Sequence, residues 1–179
     1  MEIQPQPLTI QEIEQRAKDV LVQHGLFSIP VDPVVLSNNL GIVVRNAQFS
    51  NDQLSGMIAK RGENVAFFIN QSHHPYRKRF TIAHELGHHF LHLLNDGDHG
   101  DSIVDLFRGD EVEGDPSQRA EVQANQFGAA LLMPGELVRQ HYAQYRNLGG
   151  KNAVRDLARL FNVSESAMGY RLARLRLDA

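Results

Sequence analysis

PYRKRFTIAHELGHHFLHLL, residues Pro75–Leu94, is the most strongly patterned stretch of this 179-residue chain. Pro75 suits the first turn of a helix, where its missing N–H costs nothing. Phe80, Ala83, Leu86, Gly87, Phe90, Leu91 and Leu94 then spread apolar surface around most of the cylinder, as in a helix buried on several sides. Within it lies His84-Glu85-Leu86-Gly87-His88. Residues four apart stand above one another on one helix face, so His84 and His88 can reach a single ion. Glu85, offset by one position, can approach a water there without taking a ligand position. Such a motif is short enough to arise in a core helix with incidental histidines. Gly87 argues for more, because glycine costs an interior helix up to about 1 kcal/mol against alanine unless something must approach closely.

A catalytic zinc commonly has three protein ligands and one open position. The chain has no Cys, so any metal site must use His, Asp and Glu. A downstream Gly and His on the same motif are ruled out, since positions 91 and 94 are both Leu. His92 shares roughly the same face, but a straight helix carries it about 6 Å beyond His88 along the axis. It reads as structural or as a supporting group, as does His89. Glu121 is the better third ligand. It sits early on the next strong helix, beside an apolar stripe of Ala124, Phe127, Ala130 and Leu131, where an unpaired carboxylate is costly. Asn125, one turn on, can bind the second nitrogen of a ligand imidazole. The plainer reading puts Glu121 and Asn125 on a solvated edge.

Outward from this centre the chain is orderly. Thr9 and Glu12 form a capping box ahead of a helix over Leu8–Gln23, and Asp32-Pro33 opens a second that ends before Gly41. Short strands are expected at Gly41–Arg45, Leu54–Lys60 and Val65–Asn70, the last two joined by a hairpin turn using Gly62. Pro116–Met133 returns to helix, and Pro134 opens another through about Tyr145. The tail carries two short helices around Phe161-Asn162-Val163, the second capped by Ser164. The expected fold is α+β: a small antiparallel sheet of about three strands, packed with a zincin-type helix and further helices. The expected division is 1–148 for the main domain and 149–179 for a helix-turn-helix-like appendage packed on it.

The net charge of −3 is unevenly spread. Asn95–Gln123 holds nine acidic residues against two basic ones, and Arg139 to the end holds eight basic against three acidic. The acidic segment Asn95–Asp115 has weak periodicity and is too long for an ordinary connection, which suits a lid or substrate filter. The basic tail would suit an acidic partner or DNA, or plain surface; DNA contact is possible but not favoured. The start lacks a secretory signal and no stretch approaches a membrane span, so the expectation is a cytoplasmic protein that does not engage membrane. An open edge on the hairpin would let an extended peptide pair beside the metal.

Arg79–His88, followed by Glu121-Val122-Gln123-Ala124-Asn125-Gln126-Phe127-Gly128-Ala129-Ala130-Leu131-Leu132-Met133-Pro134, resembles the ImmA/IrrE family of gluzincin-like metallopeptidases. The resemblance covers about Leu8–Tyr145 and extends weakly into the tail. It implies Zn(2+) held by His84, His88 and Glu121, Glu85 as general base, and Asn125 as the orienting residue. It also implies a bacterial or phage protein that cleaves a helix-turn-helix repressor and so controls transcription or a stress response. The chain departs from the family pattern at Gln123, where a second Glu is frequent, and at Gly128, where Ala is common. The first departure helps assign the ligand role to Glu121; the second should alter packing rather than chemistry. No transition-state helper is evident; His141, Tyr142 and Tyr170 are candidates, with His73 or His74. The rival readings are a metal-binding regulatory module without peptidase activity and a DNA-binding regulator acting through the tail.

Overall fold

The computed structural model describes residues 8–93, 102–108, 116–147 and 152–177. Helix α1 spans Ile10–Gln23. Thr9 Oγ1 accepts from Glu12 N at 3.3 Å while Glu12 Oε2 accepts from Thr9 N at 2.7 Å, completing the capping box. Its inward stripe of Ile13, Ala17 and Leu21 is fully buried. Helix α2, Pro33–Asn39, is capped by Asp32, which accepts from Val34 N at 2.9 Å.

Strands β1 (Val43–Ala47), β2 (Leu54–Arg61) and β3 (Asn64–Asn70) follow. β2 and β3 form the anticipated hairpin, with Arg61 opposite Asn64 and Gly62 at a φ of 57°. This positive φ is where glycine carries no steric penalty. The α+β class holds, but the sheet is mixed rather than antiparallel. β1 runs parallel to β3, pairing Val44 with Phe67. A further strand, β4 (Ser102–Arg108), pairs antiparallel with β2, giving the order β1-β3-β2-β4. The hairpin therefore has no open edge: β1 covers β3 and β4 covers β2. The acidic segment anticipated without regular structure contains β4, and its remaining residues, 95–101 and 109–115, lie outside the described ones. So does the lid role proposed for that stretch.

Helix α3 covers Pro75–His88 and passes into a π-helical turn at His89–Leu93. It lies on the sheet along β2 and packs against α4 (Pro116–Leu132) on its other side. Phe67, Ile58 and Leu86 fill the sheet side of the core, while Phe127 and Leu131 fill the α4 side. Helices α5 (Gly135–Asn147), α6 (Ala153–Phe161) and α7 (Glu165–Arg174) complete the fold. Asn162, the residue after α6, turns the chain in the left-handed region at φ 56°, which asparagine tolerates better than most residues.

The tail is tied down by two arginines, one buried and one half-buried. Arg171 of α7 is 3% exposed; its Nε donates to the Met133 carbonyl at 2.9 Å, and its guanidinium grips both oxygens of Glu14 on α1. Arg79 of α3 donates to the Val31 carbonyl at 2.6 Å and to the Asn162 carbonyl at 3.1 Å, pinning the α6–α7 turn. Burial lowers the Arg79 guanidinium from its ordinary value, with Asp32 opposing the change. Removing one partner of a buried, hydrogen-bonded ion pair strands the other charge. Glu14→Gln is therefore expected to cost about 1–2 kcal/mol, below the range for a fully buried pair because Glu14 keeps contact with water. Denaturant unfolding of the metal-free chain would read this, and an unchanged midpoint would show that the pair carries no net stability.

Candidate metal centre

Three ligand-capable side chains converge where α3 meets α4. His84 Nε2 lies 3.0 Å from His88 Nε2 and 3.3 Å from Glu121 Oε2, and His88 Nε2 lies 3.0 Å from Glu121 Oε1. Among the described residues, these three form the group able to hold a metal ion, their donor atoms within 4.8 Å of one another. Tetrahedral bonds of about 2.1 Å put neighbouring ligand atoms about 3.4 Å apart. The observed separations are close to that, and two imidazoles with one carboxylate are donors that suit zinc. The residues present therefore fit the ion.

The surroundings prepare each donor. His84 and His88 are buried, whereas the Glu121 side chain keeps 29% of its exposure. Asn125 Oδ1 lies 2.9 Å from His84 Nδ1. With zinc bound, Nδ1 would donate to that amide oxygen and leave the Nε2 lone pair for the ion. Burial alone would raise the Glu121 carboxyl, but hydrogen bonds from His84 and His88 outweigh it and hold the group well below the carboxylate range. It is thus ionised at neutral pH. Burial, aided by Lys60, lowers the His89 imidazole from its ordinary value and favours its neutral form.

Glu85 is fully buried on the sheet side of α3. Here β2 supplies a residue that sequence reading missed. A Cβ on Gly56 would stand 2.5 Å from Thr81 Cγ2 and 3.1 Å from Glu85 Oε1. The glycine lets the strand backbone lie against the helix just where the carboxylate sits. The available signal was a glycine inside an otherwise regular strand pattern, a usual mark of close approach. One turn earlier, Arg77 donates to Ser55 Oγ at 2.8 and 3.1 Å, fixing the same strand to α3.

Two more glycines set the helix spacing. A Cβ on Gly87 would meet Ala124 Cα at 2.8 Å, and one on Gly128 would meet His84 N at 3.1 Å. Gly128 thus acts on packing, as its departure from the family pattern suggested. The π-helical turn brings His92 Nε2 to within 3.3 Å of the Ala120 carbonyl, next to Glu121, so His92 supports the neighbouring segment.

The anticipated helpers are dispersed. His141 packs edge-on against Phe161 with ring centroids 6.1 Å apart, and Tyr142 packs against the core. Tyr170 is 81% exposed on α7. His73 Nε2 lies 2.9 Å from the Asp52 carbonyl, and His74 caps α3 by accepting from Tyr76 N. None of these residues belongs to the three-donor group.

No helix among the described residues is long and apolar enough to cross a membrane. Comparison with known proteins agrees with the geometry. A family model described as the IrrE N-terminal-like domain matches residues 38–173. The radiation response metalloprotease IrrE of Deinococcus deserti is 37% identical over 111 residues, 62% of this chain and 37% of that protein. Its namesake from Deinococcus radiodurans is 34% identical over 110 residues, 62% of this chain and 31% of that protein. The chain thus spans about a third of the length of these curated relatives. A solved structure described as a Mycobacterium tuberculosis transcriptional regulator shares the fold, with a TM-score of 0.60 and 16% identity, over 91% of this chain and 46% of that one. With the family model spanning more than half of its residues, and with two histidines and a glutamate gathered between α3 and α4, the chain belongs to the ImmA/IrrE family of metallopeptidases.

Proposed function

We propose that this chain is a zinc-dependent endopeptidase whose substrate is a helix-turn-helix transcriptional repressor in the cytoplasm. The observation that carries the hydrolytic reading is the joint placement of His84, His88 and Glu121 beside a buried Glu85 on the same helix. His84, His88 and Glu121 are the ligands, and Asn125 orients His84. Zinc held by these three residues would supply Lewis-acid chemistry toward a carbonyl and a water. Glu85 accepts the proton of the attacking water and returns it to the leaving amine. The repressor substrate, and with it a role in stress or mobile-element control, rests on family resemblance. Residues 149–179 serve as an appendage on the peptidase domain. The DNA-binding alternative is less favoured because Arg171 of α7 is buried in an ion pair and Arg155 is engaged with Asp156 at 3.2 Å.

The test combines metal analysis with cleavage. The purified chain should bind zinc and cut a candidate repressor in a chelator-sensitive manner. Glu121→Ala should weaken zinc binding by more than the ~10–100-fold typical of losing a residue that only supports a ligand. Zinc affinity unchanged by that substitution would remove Glu121 from the ligand set. Cleavage that survives complete zinc removal would sink the metallopeptidase reading.

A further inference from the structure

A groove of about 860 Å³ opens between the N-terminal end of α3, the C-terminal end of α4 and α7. That size falls in the range of true ligand clefts. Its floor is apolar, formed by Phe80, Leu132, Met133 and Val163. Its rim differs: Arg77 and Arg174 border it, as does the exposed Tyr170. No Asp or Glu occurs among the described residues that line it. The guanidinium of Arg171 also borders it but is already engaged with Glu14 and the Met133 carbonyl.

The groove and the metal centre share helices α3 and α4. Phe80 precedes His84 by four residues on α3, and Ala129 follows Asn125 by four on α4. Four residues of helix bring side chains back to one face and advance about 6 Å. Groove and donor set therefore lie on the same pair of helix faces, one to two turns apart. An extended peptide advances about 3.3 Å per residue. One to two helical turns thus correspond to a few residues of extended chain.

We propose that this groove docks a segment of the protein substrate that carries large apolar side chains flanked by carboxylates. The apolar groups fill the floor, and the carboxylates meet Arg174 at the rim, with Arg77 adding its positive charge while its Nε and Nη2 stay on Ser55 Oγ. This inference rests on the peptidase reading for the nature of its occupant. In it, α7 presents Ser166, Tyr170 and Arg174 to a protein rather than to a DNA groove.

The test uses the zinc-loaded Glu85→Gln chain, so that binding is measured without turnover. The probes are a fluorescein-labelled peptide with a Leu-Leu-Phe core flanked by aspartates, and its counterpart flanked by lysines. Fluorescence anisotropy should show the aspartate peptide binding at least ~10-fold more tightly than the lysine one. Adding Ala167→Trp, which fills the groove, or Arg174→Glu, which reverses the rim charge, should weaken the aspartate peptide by at least ~10-fold. Arg159→Glu, on α6 and outside the groove lining, should leave it unchanged. Zinc content and thermal unfolding verify that each variant is folded. Equal binding of both peptides, or binding indifferent to the groove variants, overturns the proposal. So does tight, salt-sensitive binding of duplex DNA that is lost with Arg174→Glu. Cleavage of unfolded casein by the zinc-loaded wild-type chain tests the peptidase reading separately; its failure leaves the binding results to judge the groove.

Discussion

Glu85→Gln is expected to leave zinc bound and to lower peptide cleavage by about 10²–10⁴-fold, the usual contribution of a positioned acid–base group. The amide keeps the size and shape of the carboxylate beside a wall already crowded by Gly56 and Thr81. The fold should therefore survive, while the group that accepts the water's proton is gone. Glu85 is outside the three-donor cluster, so metal affinity should move far less than with Glu121→Ala. The measurement is turnover of one repressor substrate by both chains at matched zinc content. Equal rates would remove Glu85 as the base. Loss of zinc together with activity would mean that Glu85 serves the metal rather than the proton.

Gly87→Ala should be the most damaging single-methyl change near the site. The added Cβ would lie 2.8 Å from Ala124 Cα and 2.9 Å from the Ala124 carbonyl oxygen. These are backbone atoms, so no rotamer change relieves the clash; α3 and α4 must separate. Overpacking of this kind costs about 1–3 kcal/mol, sometimes more, whereas alanine returns up to about 1 kcal/mol of helix propensity. We expect a net loss of about 1–2 kcal/mol, read by denaturant unfolding of the metal-free chain. Working without zinc matters, because a ligand bound only to the native state would add its own stabilisation. Zinc affinity should fall as well, since Glu121 is three residues from Ala124 on the same rigid helix and must move with it. A variant as stable as the parent would show that the helices yield without cost.

These two substitutions separate what is local from what is not. The pairing of His84 with His88, and the offset of Glu85, follow from helical periodicity alone. The same is true of the caps at Thr9 and Asp32 and of the hairpin at Gly62. Glu121 was legible as the better third ligand, from a costly carboxylate beside an apolar stripe and from the family resemblance, with a solvated edge as the plainer alternative. Its approach to His88 depends on how closely two helices pack, and Gly87 and Gly128 set that distance. Gly56 was missed because its neighbour, Glu85, lies on a different element.

The sheet divides in the same way. The hairpin was legible because its turn lies between its own strands. The parallel β1–β3 pair was not, since no residue in Val43–Ala47 records which strand it will join or in what direction. Strand β4 escaped although Ile103, Val104, Leu106 and Phe107 suit a strand, because Asp- and Gly-rich stretches on either side masked so short a run; its pairing with β2 is a long-range contact.

By itself, then, the sequence determined which side chains of the Pro75–Leu94 stretch could meet one ion, because that follows from residue spacing along a single backbone. Tertiary structure decided that Glu121 comes within reach of both histidines, that Gly56 makes room for Glu85, and that α7 borders a groove on the same two helices. Each of these depends on distances between elements, which packing determines and residue spacing does not.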